Sequence, residues 1–145
     1  MAEALVEARA AGERGEWPIG AVVVQHGRVV GRGGNEDVAS CDPTAHAEVL
    51  AIRRACAALG RQKLRDCVLY TTVYPCPMCE MVIREVGLGS VHYGGDTFRW
   101  VREVKFAEAP FAPVGPEAPE GRRLFEARLR ERGRTDILDF EGDDA

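Results

Sequence analysis

Residues 42–48 read Asp42-Pro43-Thr44-Ala45-His46-Ala47-Glu48, and residues 74–79 read Tyr74-Pro75-Cys76-Pro77-Met78-Cys79. The second stretch sets the local fold around it. Pro77 has no N–H to lose in a first helical turn, and its fixed φ suits that place. A helix is therefore predicted to begin there and run to about Val86. Cys76 and Cys79 stand three apart at its start, which makes them neighbours on one face. The positive end of the helix favours thiolates, the form that binds metal. Taken alone, a C-x-x-C pair also fits a redox dithiol or a structural zinc site.

His46 adds an imidazole. One imidazole and two thiolates supply three ligands for zinc, which takes four, so a fourth position is left for water. A closed structural site would need one more Cys or His. The remaining ones are Cys41, Cys56, Cys67, His26 and His92, and only Cys41 is near the motif. Glu48 is left over as an acid/base group beside the water. Residues two apart on a regular helix point to nearly opposite sides. His46 and Glu48 can therefore meet at one water only if they lie in the first turn. Asp42 or Thr44 as cap, with Pro43 as an early residue, place a helix start suited to that. In such a site zinc brings the pKa of water from roughly 15.7 towards about 7. Glu48 takes the water proton and later delivers it to the departing group. A backbone N–H near Ala47 or Cys76 steadies the attacking oxygen.

Working outward, Val49, Ile52, Cys56 and Leu59 recur at helical spacing, and Gly60 stops that helix. Cys67–Val73 and Ser90–Tyr93 read as strands. Ala2–Arg14 reads as a helix, and Ile19–Gln25 and Arg28–Arg32 as a hairpin turning at His26-Gly27. Gly31, Gly33 and Gly34 mark a backbone that bends or lets something approach closely. Pro110, Pro113, Pro116 and Pro119 make a stiff connector, and a last helix runs from about Glu120 to Arg132. Strands alternating with helices predict an α/β fold with a sheet covered on both faces. The expected layout is one domain over residues 1–140, with an acidic, disordered tail over 141–145.

The chain has 145 residues and 46% hydrophobic content, enough for one core. It has no run of about 18 apolar residues, so no membrane partner is expected. The first residues lack the order of a secretion signal. Five Cys with no such signal favour metal binding over disulfides, and a cytoplasmic setting. A net charge of −4 and a pI near 5.4 are not the footprint of a strong polyanion binder. Arg122, Arg123, Arg128, Arg130, Arg132 and Arg134 cluster, with Glu117, Glu120, Glu126 and Glu131 between them. Glu126 and Arg130 sit four apart, so this segment reads as a solvated helix face, with nucleic-acid contact as the alternative.

H-x-E followed by P-C-x-x-C is the pattern of zinc hydrolases that remove an amino group from a nucleobase. With these fragments the chain resembles the cytidine deaminase superfamily. Residues 42–48 and 74–79 look like the branch holding bacterial tRNA adenosine deaminases, guanine deaminases and fungal-type cytosine deaminases. Trp17-Pro18-Ile19-Gly20-Ala21 and Gly33-Gly34-Asn35 also match it, and the resemblance runs from about Ala2 to Thr97. It implies a three-layer α/β/α sandwich with a central mixed sheet of about five strands, and a homodimer. It implies Zn2+ on His46, Cys76 and Cys79, Glu48 as proton shuttle, and Asn35 holding the base. Asn35 also fits a plain turn residue.

Within that branch the signals divide. Pro-Thr-Ala-His-Ala-Glu looks like the guanine and tRNA adenosine groups, whereas Gly94-Gly95-Asp96-Thr97-Phe98 is more similar to cytosine deaminases. Tyr74 stands where tRNA deaminases usually have Glu. Glu80-Met81-Val82-Ile83 departs from their small-residue stretch, and the acidic tail speaks against a tRNA partner. The expected substrate is therefore a small-molecule nucleobase or nucleoside of guanine or cytosine type, with tRNA adenosine as the alternative. Phe98 and Trp100 are placed to stack on a base or to fill the core. Asp136 and Asp139 bring a carboxylate to the pocket or belong to a solvated tail. The rival class is a zinc-binding module with a fourth protein ligand and no catalysis.

Overall fold

The hairpin turn falls at His26 and Gly27, which both take positive φ (46° and 78°), the conformation a two-residue turn requires. It joins β1 (Gly20–Gln25) to β2 (Arg28–Gly34) in the computed structural model, which describes residues 1–95, 111–113 and 118–131. β1 also pairs antiparallel with β3 (Cys67–Thr71). β3 then runs parallel to β4 (Ser90–Tyr93), and β4 runs parallel to β5 (Phe111–Pro113). The result is a mixed five-stranded sheet in the order β2-β1-β3-β4-β5. The predicted α/β class is met, as is the five-strand count that the resemblance implies.

The glycines decide how the helices lie on this sheet. A Cβ on Gly33 would collide with the Ala47 carbonyl oxygen and the Ala51 nitrogen. One on Gly31 would collide with Ala51 and Ala55. Those three alanines form a stripe of fully buried residues along α3 (Ala47–Leu59). Gly20 instead faces Ala4 and Ala8 of α1 (Ala2–Glu13). Side chains alternate along a strand, and Gly34 also faces α1. The two helices therefore cover opposite faces. α4 (Pro77–Val86) packs beside α3, and α5 (Ala118–Glu131) packs beside α1. This is the three-layer α/β/α sandwich. Gly33→Ala is expected to cost about 1–3 kcal/mol of stability, because the helix must move out to admit a methyl group. Chemical denaturation of the two proteins measures it, and an unchanged midpoint would show that α3 has slack there.

The structure corrects several expectations. α3 starts at Ala47, not at Pro43 or Thr44. The Asp42 side chain does not cap it: its Oδ1 accepts the Thr44 N–H (2.8 Å) and the Thr44 hydroxyl (2.7 Å), a local turn that competes with helix. The deepest face of α3 is the alanine stripe, while Cys56 and Leu59 are only half-buried. A short helix unread in the sequence, α2 (Asp37–Ser40), precedes the motif. Part of the proline-rich connector is strand β5.

α5 behaves as the solvated face expected of it. Arg130 lies 3.9 Å from Glu126 and Arg128 lies 2.9 Å from Glu131. Its inner side brings Phe125 onto Trp17, with ring centroids 5.2 Å apart. Among the described residues no helix is long and apolar enough to cross a membrane. Arg132, Arg134 and the 141–145 tail lie outside the described residues.

Candidate active site

Two helix N-termini meet at the carboxyl end of β3. His46 immediately precedes α3 with extended backbone (φ −74°, ψ 151°), and Cys76 immediately precedes α4 (φ −69°, ψ 165°). The late start of α3 is what lets His46 and Glu48 serve one place: the first is not yet helical and the second lies in the first turn. His46 Nδ1 is 3.5 Å from the sulfur of Cys76 and 3.5 Å from that of Cys79, and the two sulfurs are 3.6 Å apart. A tetrahedral zinc with ordinary bond lengths needs edges of about 3.6 Å between N and S and about 3.8 Å between two S. The donor triangle matches these edges within a few tenths of an ångström.

The electrostatics also suit a cation. The Cys76 thiol is lowered to about 4, first by its hydrogen bond with Cys79, with His46 adding to the effect against the cost of burial. The Cys79 thiol moves upward for the same reason, helped by its own burial. His46 is raised, first by its bond to Cys76. The cluster thus holds negative charge on sulfur and protons that a dication displaces on binding. Cys41 is exposed and lies outside it, and no other Cys or His joins the three among the described residues.

Glu48 is only 3% exposed. Its Oε1 accepts the Thr71 hydroxyl at 3.2 Å, and its Oε2 lies 3.5 Å from the Cys79 sulfur. Burial pushes its carboxyl upward from the ordinary range, towards that of a group which both takes and gives a proton. Asn35 is buried alongside, its Oδ1 accepting the Ala47 N–H at 3.0 Å. That N–H, expected to steady an oxygen of the reaction, is therefore engaged by Asn35.

Asn35, His46, Glu48 and Cys76 line one cavity of about 230 Å³. It is smaller than drug-sized pockets and suits a single flat ring system. Ile19 and Val73 add apolar wall, and Trp17, Asp37, Tyr74 and Phe125 also line it. Sequence reasoning did not assign these four to the site. Trp17 stood in a matching fragment, but nothing local ties Asp37 or Phe125 to residues far along the chain. Tyr74 is anchored by its hydroxyl, which donates to the buried Glu80 at 2.7 Å. The two departures at 74 and 80 are thus one bonded pair. A larger groove of about 840 Å³ runs along α3 and α4 and includes none of the three ligand residues. Phe98, Trp100, Asp136 and Asp139 lie outside the described residues.

Residues 1–95 match the model of the cytidine and deoxycytidylate deaminase zinc-binding region. The chain belongs to this family. A tRNA-specific adenosine deaminase of Agrobacterium fabrum (strain C58) is 51% identical over 94 residues, which are 65% of this chain. The match spans 62% of that relative's length. A structure solved in work on A-to-I editing by tRNA:A34 deaminases at the wobble position aligns with a TM-score of 0.74. It is 40% identical, over 86% of this chain and 96% of its own. The X-ray structure of guanine deaminase from Bacillus subtilis aligns at 0.64 with 30% identity, over 98% of this chain and 93% of its own. All three are named as deaminases, while the substrates in their names differ.

Proposed function

We propose that this zinc-type deaminase acts on adenosine in tRNA, replacing the ring amino group by oxygen and releasing ammonia. The observation that carries the reading is the likeness to the tRNA:A34 deaminase structure, 40% identical over 86% of this chain against 30% for the guanine deaminase of Bacillus subtilis. This moves the balance away from the free base favoured by Tyr74, Glu80 and the charge of the chain.

His46, Cys76 and Cys79 would hold the metal, which when bound would supply an acidified water next to Glu48. Glu48, held by Thr71, takes a proton from that water and carries it to a ring nitrogen of the base. The water oxygen bonds to the ring carbon that bears the amino group, and Glu48 then takes the second proton from that oxygen and gives it to the amino nitrogen as the C–N bond breaks, so that ammonia and not an amide ion departs. Water enters and ammonia leaves, and Glu48 ends as it began. Asn35 and the aromatic walls hold the ring in the cavity, where exclusion of solvent strengthens every polar contact.

Free guanine is the second reading, supported by the alignment of guanine deaminase over nearly the whole chain. An ammonia-release assay separates the two. A tRNA anticodon hairpin with an unpaired adenosine is expected to turn over, with kcat/KM falling as salt is raised, since phosphate contacts release counterions. Turnover of guanine with no reaction on any RNA would discard the tRNA reading.

A further inference from the structure

The amide of Asn35 is fixed at both ends. Its Oδ1 accepts the Ala47 N–H (3.0 Å), and its Nδ2 donates to Asp37 Oδ1 (2.9 Å). Turning the amide over would set its oxygen against the Asp37 carboxylate and its NH2 against the Ala47 N–H, so only one orientation is satisfied. An amide nitrogen carries two hydrogens, and Asp37 takes one. Asp37 in turn has a second carboxylate oxygen, with no partner among the described residues. Both side chains line the cavity that holds His46 and Glu48. They offer a bound molecule an N–H and a carboxylate oxygen side by side.

The position of Asp37 is itself built. It opens α2, and the backbone N–H groups of Val38 and Ala39 are taken by the two oxygens of Glu16, at 3.1 and 2.8 Å. Glu16 is 1% exposed. A buried carboxylate committed to two backbone donors holds this short helix, and with it Asp37, against the cavity.

We infer that Asp37 is a specificity-determining residue: with Asn35 it selects a substrate edge on which a ring acceptor adjoins an N–H or O–H donor. The inference rests on the reading of the site as a nucleobase deaminase and narrows its substrate. In an RNA adenosine, purine N3 lies beside the ribose 2′-hydroxyl. In free guanine, N3 lies beside N9–H. A 2′-deoxyadenosine and a 9-methylguanine keep the acceptor and lack the donor.

The test measures ammonia release from an RNA hairpin with the target adenosine and from the same hairpin carrying 2′-deoxyadenosine at that one position. Wild-type kcat/KM is expected to be at least about tenfold higher on the first, the scale of one hydrogen bond to a charged group. In Asp37→Ala the ratio is expected to fall towards one. In Asp37→Asn, which keeps the shape and one acceptor oxygen, it is expected to lie between. Zinc content and thermal melting of both variants show that they fold. An equal fall on both hairpins would reduce Asp37 to a support for Asn35 and overturn the inference, as would an unchanged ratio. Wild-type protein inactive on both hairpins but active on guanine removes the tRNA reading only. The ratio of guanine to 9-methylguanine then takes the place of the hairpin ratio. The same loss is expected in Asp37→Ala, and a ratio that does not move there overturns the inference as well.

Discussion

Glu48→Gln is expected to abolish ammonia release while the protein keeps one zinc per chain. The substitution preserves volume in a buried place, and the amide oxygen can still accept the Thr71 hydroxyl. What it removes is the ability to take a proton from water and to return one to the amino group. Each transfer of this kind is typically worth about 10²–10⁴-fold in rate. In the proposed mechanism one residue performs both, so the loss is expected at the upper end of that range. Ammonia release, zinc analysis and thermal melting on the same sample measure it. Activity within about tenfold of wild type would show that another group moves the protons, since even one such transfer is worth more.

Cys76→Ala is expected to lose both the metal and the activity. With this thiolate gone, only His46 and Cys79 remain, and the donor of lowest pKa in the cluster is absent. Even groups that merely orient ligands are worth about 10–100-fold in metal affinity, so deleting a ligand should exceed that range. Zinc analysis after dialysis against a weak chelator reads the effect. Cys41→Ala is the control. Cys41 is exposed and outside the donor triangle, so its removal should leave one zinc per chain and unchanged turnover. Release of zinc by the Cys41 variant, with retention by the Cys76 variant, would mean a different ligand set and a closed structural site.

The legible parts of the fold were those written in short-range pattern. Pro77 between the two cysteines fixed the start of α4, and His26-Gly27 fixed the hairpin turn. Gly31 and Gly33 signalled close approach, and α3 is what approaches. The periodicity of α3 pointed to its larger apolar residues, but Ala47, Ala51 and Ala55 face the glycines because only small groups fit between helix and strand. The start of α3 was misplaced because the Asp42 carboxylate, a good helix cap by type, satisfies Thr44 instead. β5 was missed because strand pairing with β4 depends on a neighbour about twenty residues away, while the prolines around it speak for a connector.

The sequence by itself determined the donor set His46, Cys76 and Cys79, the proposal of Glu48 as acid/base group and, through the motif they form, the deaminase family. Ligand spacing and side-chain type are properties of a few adjacent residues, and they survive any rearrangement elsewhere. Only the tertiary structure decided that no further Cys or His joins these three among the described residues, that the Ala47 N–H serves Asn35, and that Trp17, Asp37, Tyr74 and Phe125 line the cavity. Those facts depend on contacts between segments far apart along the chain. They are set by how α1, α3 and α5 pack on the sheet, where no local pattern records which side chains will meet.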